Sequence, residues 1–359
     1  MAGLIQGFTV AFLISLAATP VIRKMAFRVG AVDCPDARKV HSCLMPRLGG
    51  LAVYLAFTLT ILLFRPLNND MIALLTGGSL IMLLGLADDI KNISPRIKLL
   101  GQIISASVLV AFGIEVTGIT NPFGGIISLE FHGVNFGIPL TVLWVVGVTN
   151  AVNLIDGLDG LAGGFSAIAA VTLAVVGWAN DQLLIVFPAM ILCASALGFL
   201  KYNFHPAKIF LGDSGSQFLG YMLAGISVIG LTKGAAVMSV FVPVLIMGIP
   251  IFDTLFAIIR RYVNNQPIFE ADKEHLHHRL LAIGLTHRQS VLIIYGISGL
   301  LGASAVLLTF LTTAQAFLVF LGITLGVFIA ANRVGVLSTR AVQKTPAPEV
   351  QRNRSNFGA

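Results

Sequence analysis

The sequence predicts an all-α, polytopic integral membrane protein, and three observations carry that prediction. Of its 359 residues 56% are hydrophobic and only 11% charged, with a mean hydropathy of +0.91, a balance foreign to soluble globules. Apolar runs recur from end to end with no soluble block between them, which predicts one transmembrane domain over 1–331. Charged residues, finally, are segregated between alternate loops.

The first run, Met1–Ile22, has no basic segment before it and is followed by Arg23 and Lys24. That order predicts a retained first helix with its N-terminus outside, not a cleaved signal peptide. Further spans are predicted at Leu48–Phe64, Met71–Ala87, Ile97–Ile114, Ile138–Leu154, Leu161–Asn180, Leu183–Leu200, Gln217–Thr232, Ala236–Ile259, Gln289–Thr309 and Ala314–Ala331, about eleven in all. If loops alternate sides, Arg65 and Lys233 alone of the 23 basic residues lie outside. This positive-inside asymmetry places the C-terminus in the cytoplasm. The acids follow it, with only Asp70, Glu115, Glu130 and Asp181 outside, and of the seven histidines only His132.

Between the fourth and fifth spans, the NPFGG turn and alternating ISLEFHGV of Glu115–Gly137 predict a small outer hairpin. The segment 332–359, basic and carrying Pro346 and Pro348, is expected to be a disordered tail on the membrane surface. Cys34, Cys43 and Cys193 form neither an even set nor a CxxC pair, so neither a disulfide framework nor a zinc site is predicted. Loops facing anionic lipid account for the basic excess, and no nucleic-acid partner is implied.

Five polar sites converge on the cytoplasmic face. The first loop, Asp33–Gly50, supplies Arg38, Lys39, His41 and Arg47, the last beside a Gly-Gly entry to the next helix. Asp88 and Asp89 end an apolar helix; a carboxylate at mid-bilayer costs roughly 2.5–3.5 kcal/mol, less near the interface, so an adjacent pair suggests a cation or proton task. Lys98, on the next helix, is placed to meet a phosphate. In NAVNLIDGLDGLAGG, Asn150–Gly164, Asn150 and Asn153 precede Asp156 and Asp159 in a glycine-rich turn. If that turn opens a helix the two aspartates share a face and could hold a metal and a phosphate; alternatively they merely cap the next helix.

In FLGDSGSQFLG, Phe210–Gly220, Asp213 stands between glycines at a helix mouth, either as an N-terminal cap or as a carboxylate that recruits Mg²⁺ to a diphosphate. In DKEHLHHRL, Asp272–Leu280, His275, His277, His278 and Arg279 are grouped. His275 and His278 would share a helical face, a spacing that suits zinc or phosphate, with phosphate favoured because no cysteine or HExxH accompanies them. Asp253, after Pro250, is a further intramembrane acid, weighed evenly between packing and a site role. Hard oxygen ligands plus cationic donors, without redox residues or a Ser-His-Asp pattern, describe Mg²⁺-dependent phosphoryl chemistry at a membrane.

These residues resemble the polyprenyl-phosphate N-acetylhexosamine-1-phosphate transferases, of the glycosyltransferase family 4 type. The likeness runs over nearly the whole chain: PRLGG at Pro46–Gly50, Asp88-Asp89, NAVNLIDGLDGL at Asn150–Leu161, FLGDSGS at Phe210–Ser216 and HLHH at His275–His278. Within the family it looks most like the bacterial enzymes that begin O-antigen, common-antigen or teichoic-acid synthesis by moving N-acetylglucosamine 1-phosphate from UDP-N-acetylglucosamine to undecaprenyl phosphate. The resemblance implies Mg²⁺, or Mn²⁺ in its place, on Asp213 and Asp156, and uracil against Phe210 and Asp159. It further implies phosphate contacts from Lys98, sugar phosphates held by the histidine loop with Arg279, and Asp88 and Asp89 as the catalytic pair. It places the chain in the bacterial cytoplasmic membrane, active site inward, among membrane lipids; a homodimer is compatible with it.

Within the enzyme class the alternative donor is another UDP-N-acetylated sugar, including the phospho-N-acetylmuramoyl-pentapeptide donor. From a different class, a secondary transporter would share the helix number and buried acids, but transporters place their site near the bilayer midplane, often within an internal repeat.

Overall fold

The computed structural model describes residues 2–33, 44–65, 67–232, 240–267 and 274–334. Arg38, Lys39, His41, Asp272, Lys273, Lys233 and the tail from residue 335 lie outside the described residues. In chain order the elements are α1 Ala2–Val29, β1 Val32–Asp33, β2 Met45–Pro46, α2 Gly49–Phe64, α3 Asn69–Lys91 and α4 Pro95–Ala111. Then come β3 Gly118–Thr120, β4 Ile126–Ser128, β5 Glu130–Phe131, β6 Val134–Asn135, α5 Gly137–Leu154, α6 Leu161–Ala179 and α7 Leu183–Asn203. The chain continues through α8 Gly212–Thr232, α9 Phe241–Ile246, α10 Gly248–Val263, α11 Leu276–Ala282, α12 His287–Leu308 and α13 Thr313–Val334.

The helical class holds, qualified by three two-stranded antiparallel pairs: β1 with β2, β3 with β4 and β5 with β6. The last two pairs form the hairpin region expected between the fourth and fifth spans. Among the described residues eight helices, α1, α3, α5, α6, α7, α8, α12 and α13, are long and apolar enough to cross a membrane; α2 and α4 are shorter, at 16 and 17 residues. The run expected as one span at 236–259 is interrupted: α9 ends and α10 begins around Met247. Pro250 has no N–H to return to the preceding turn, and Gly248 beside it weakens the helix further, so the break has a covalent cause.

α8 is the most buried of the eight long helices and α13 the least. Small residues make that centrality possible. A Cβ on Gly215 would meet Gly50 of α2, one on Gly220 the Thr149 backbone of α5, and one on Gly225 Leu74 of α3. With no water to drive association inside a bilayer, close backbone approach of this kind is what packs helices. At the N-terminal end of α8, Gly50 of α2 and Gly85 of α3 pack on the Gly215 and Ser214 backbone, and Asn153 of α5 reaches Asp213.

Candidate active site

The turn from α3 to α4 builds the first wall. Asn92 leaves α3 in the left-handed region, φ 49°, and the Asp88 carboxylate Oδ1 accepts the backbone N–H of Ile93 at 2.9 Å. Ser94 and Pro95 then start α4, with Ser94 accepting from Ile97 N. The result sets Lys98 opposite Asp88. Their side chains form an ion pair through Asp88 Oδ2, and the same ammonium lies 3.3 Å from Asp213 Oδ2.

Asp89 faces the other way, into the N-terminus of α8. Its Oδ1 accepts from Asp213 N at 2.8 Å; its Oδ2 accepts from Ser214 N at 3.0 Å and from Ser214 Oγ at 2.6 Å. A carboxylate on the first free N–H groups of a helix also complements the helix dipole. Arg47 Nη2 stands 3.6 Å from Asp89 Oδ1, and Arg47 Nη1 reaches Asp33 Oδ1 at 3.4 Å. The backbone completes this corner: Gly49 N and Gly50 N donate to Phe210 O and Leu211 O at 3.0 and 2.8 Å, and Phe210 N donates to Pro46 O at 2.8 Å. PRLGG and FLGDSG thus form one structural unit. Gly212 has φ +77°, and a Cβ there would strike Arg47 O.

Asp213 is not the cap of α8. It lies in the first turn, where Oδ1 accepts from Asn153 Nδ2 at 2.6 Å while Oδ2 faces Lys98. Asn153 also donates to Ser216 Oγ at 2.8 Å. Asn150, one turn earlier on α5, has its amide engaged elsewhere, with Gln102 and Val146 O.

The DGLDG segment does not open a helix, so Asp156 and Asp159 do not share a helical face; it is a turn, and α6 is capped by Gly160 at φ +81° without a side-chain bond. The capping alternative fails with it. Asp156 carries no side-chain hydrogen bond or ion pair among the described residues. Desolvation, then the negative charges of Asp213, Asp89 and Asp159, raise its carboxyl well above the ordinary range. A desolvated carboxylate among three others, lacking a donor, is the environment that a divalent cation relieves. With Asp213 it offers hard oxygen donors, and the residues fit Mg²⁺.

Asp159 points away from that cluster. Its Oδ2 accepts from Ala207 N at 3.1 Å and pairs with His205 Nδ1 at 2.8 Å. The His205 ring stacks on that of His287 with centroids 4.1 Å apart and planes 19° apart. These three side chains lie close enough to suggest a metal. Stacked rings, however, aim their in-plane nitrogens side by side and not at a common point, so a hydrogen-bonded stack describes the trio better.

The histidine loop covers the turn. His277 Nε2 packs where a Cβ on Gly157 would stand. Burial pushes the His277 imidazole down to about 3, with His278 adding to the effect, so it is neutral near pH 7. His275 precedes α11 as its N-cap residue, which corrects the shared helical face expected for His275 and His278; its Nδ1 pairs with Asp253 Oδ2 at 2.9 Å. Asp253 also accepts from Leu276 N at 2.8 Å, so this intramembrane acid anchors the loop. His278 lies against the His277 ring, centroids 4.2 Å apart, and Arg279 Nη2 donates to Glu274 Oε2 at 2.6 Å. Arg260 Nε reaches the same oxygen at 3.2 Å.

One end of the bundle therefore gathers Arg47, Asp88, Asp89, Lys98, Asn153, Asp156 and Asp213, with Asp159 and the histidine loop beside them. Sequence reasoning missed Gln102, Gln217, Ser214, Asn203 and His205. Asn203 Oδ1 accepts from Gly160 N at 3.1 Å and so holds the turn to α7. The two glutamines carried a readable sign: each lies four residues beyond a charged site residue, Lys98 or Asp213, on an apolar helix. Nothing local marked His205 as the partner of Asp159.

The sequence profile described as glycosyl transferase family 4 matches residues 71–231. A Bacillus subtilis (strain 168) protein, a probable undecaprenyl-phosphate N-acetylglucosaminyl 1-phosphate transferase, is 44% identical over 309 residues, 86% of each chain. A decaprenyl-phosphate N-acetylglucosaminephosphotransferase of Mycolicibacterium smegmatis is 38% identical, covering 92% of this chain and 88% of that one. The undecaprenyl-phosphate alpha-N-acetylglucosaminyl 1-phosphate transferase of Thermotoga maritima is 33% identical over 74% of this chain and 78% of its own.

Proposed function

The chain belongs to glycosyl transferase family 4, and on that premise we propose that it transfers N-acetylglucosamine 1-phosphate from UDP-N-acetylglucosamine to undecaprenyl phosphate. UMP is the other product, and the step opens cell-surface polysaccharide synthesis at the bacterial cytoplasmic membrane. The observation that carries the reading is Lys98 held between Asp88 and Asp213 in a chain so similar to a relative of that name.

In the reaction one oxygen of the lipid phosphate attacks the β-phosphorus of the donor. A new P–O bond forms there, and the bond from that phosphorus to the oxygen bridging the α-phosphorus breaks, its electron pair leaving on UMP. A phosphate monoester has a second pKa of about 6 and is mostly dianionic at neutral pH, so direct displacement needs no strong base. The geometry favours this over an aspartyl-phosphate. Asp89 has both oxygens committed to α8, and Asp88 is tied to Lys98 and Ile93 N. Asp88 then orients the lipid phosphate or takes its last proton, and Asp89 fixes the first turn of α8, which carries Asp213.

Lys98 presents positive charge to the phosphates, and Asp156 and Asp213 hold Mg²⁺, or Mn²⁺. The bound ion supplies neutralisation of the diphosphate charge. Asp159 and Phe210 receive the uracil, while Arg47, the histidine loop and Arg279 receive phosphates. Asn153 steers Asp213, and Asn150 joins the amide layer below it.

The reading includes eleven crossings, counting α2, α4 and the interrupted α9–α10 with the eight longer helices, an outer N-terminus and a cytoplasmic site. Its test is transfer of radiolabel from sugar-labelled UDP-N-acetylglucosamine to undecaprenyl phosphate by purified protein, with Mg²⁺ and with excess chelator. Label entering the lipid phase only with Mg²⁺, matched by UMP, is the expected result. Transfer undiminished in chelator would remove the metal, and phospho-aspartate trapped without acceptor would overturn direct displacement.

A further inference from the structure

Below the charged layer, α4 and α8 are joined by a polar ladder with one rung per helical turn. The first rung is Lys98 Nζ with Asp213 Oδ2 at 3.3 Å. One turn deeper, Gln102 Nε2 donates to Gln217 Oε1 at 3.0 Å, and a turn beyond that Tyr221 OH donates to Ser105 O at 3.1 Å. α5 braces the upper two rungs. Asn153 Nδ2 donates to Asp213, while Asn150 and Gln102 exchange amide bonds of 2.7 and 3.1 Å.

Gln102 is 2% exposed and Gln217 fully buried. Gln102 uses both amide hydrogens and its carbonyl in these bonds. Sliding α4 by one residue, a rise of about 1.5 Å, would leave those groups unpaired in a low-dielectric interior. The lysine stem carries no such geometric demand; it is a flexible chain ending in a point charge. The height at which Lys98 leaves α4 is therefore set by the amide rung. Gln217 fits the same role, since its Nε2 has no partner among the described residues and its Oε1 is what Gln102 uses. Packing alone would favour an apolar side chain over a buried, unpaired amide hydrogen.

We propose that Gln102 and Gln217 are positioning residues that fix the axial register of α4 on α8 and so hold Lys98 between Asp88 and Asp213. The inference rests on the transferase reading for its catalytic consequence only.

Gln217→Met is the informative variant: it leaves one Gln102 amide hydrogen without its acceptor but also removes the unpaired Gln217 Nε2, so the two effects offset and stability should change little. Gln102→Met and the double variant accompany it, with Trp144→Phe as control, which removes the Trp144 Nε1 to Ser227 Oγ bond of 3.0 Å elsewhere on α5 and α8. Turnover, KM for UDP-N-acetylglucosamine, Tm and the acylation rate of Lys98 by mass spectrometry are read for each, with the exposed Lys91 and Lys201 as references.

For Gln217→Met, kcat should fall about tenfold, equivalent to ~1.4 kcal/mol of barrier, with KM and Tm near wild type. Lys98 should be acylated several-fold faster while the reference lysines are unchanged. The double variant should be no slower than the slower single one, since both break one rung. Unchanged kcat and Lys98 labelling in Gln217→Met, or equal losses in Trp144→Phe, would overturn the proposal. Wild-type protein that transfers nothing would sink the transferase reading, and the Lys98 labelling would still decide the register inference.

Discussion

Asp88 and Asp89 are adjacent in the chain yet hold different partners, Lys98 for the first and the α8 N-terminus for the second. Asp213 stands between them with one oxygen toward Lys98 and the other on Asn153. Asp213→Asn should therefore lower turnover by roughly 10²–10³-fold, the size found when one charge-stabilising group is lost. Asn153→Ala, which only frees the Asp213 carboxylate to turn, should lower it by roughly 10–100-fold. Steady-state kinetics at saturating donor and lipid would check both, and the reverse order would reject these roles for Asp213 and Asn153. His277 makes a different prediction. Its imidazole is pushed down to about 3 from 6.5, so between those values the unfolded chain binds a proton that the folded one refuses. The stability this protects is complete above about 6.5 and drains away as pH falls toward 3. His277→Gln should flatten that acid-side loss by at most ~1.4 kcal/mol per pH unit, read as Tm against pH for the two proteins. Equal slopes would mean that another group dominates. At this scale the aspartates and Lys98 were legible, because charges in apolar helices stand out. The pairing of Lys98 with Asp213, 115 residues apart, was not, because no local pattern encodes a long-range contact.

Two glycines show how elements, and not side chains, bring the site together. A Cβ on Gly50 would collide with the Gly215 backbone, and one on Gly85 with the Ser214 backbone. Backbone cannot move aside like the tip of a side chain, so Gly50→Ala and Gly85→Ala should each destabilise by about 1–3 kcal/mol and displace Asp213 from Asp89. Gly299→Ala on α12 meets nothing within 4 Å and should be neutral or slightly stabilising through helix propensity. Tm and transfer activity of the three variants decide it; a Gly50→Ala protein as stable and active as wild type would refute the close approach. The long spans were legible from hydropathy alone, which measures what a bilayer demands of a helix. The DGLDG segment was not, because glycine permits turn and helix alike and the choice is made by Asn203 and Tyr295, both of which bond Gly160. The break in α9–α10 was hidden for a related reason: hydropathy is blind to the missing N–H of Pro250.

For the whole molecule the decisive question is which side of the membrane the carboxylate cluster faces. In the proposed topology all but two of the 23 basic residues share the side of the cluster, and the donor nucleotide is expected on that side. The two features need not agree by chance. Arginines and lysines that orient the chain during insertion are in part those proposed to meet phosphates, Arg47, Lys98 and Arg279 among them. Orientation can be read without activity, in a background where Cys34, Cys43 and Cys193 are replaced. Phe123 at the hairpin tip is 93% exposed, and Lys201 and Arg288 are exposed near the opposite helix ends. Phe123→Cys should react with a membrane-impermeant maleimide in intact cells, and Lys201→Cys and Arg288→Cys only after permeabilisation. Labelling of Lys201→Cys in intact cells would turn the cluster outward. It would then face a compartment without UDP-sugars, and the proposed reaction would fail along with the topology.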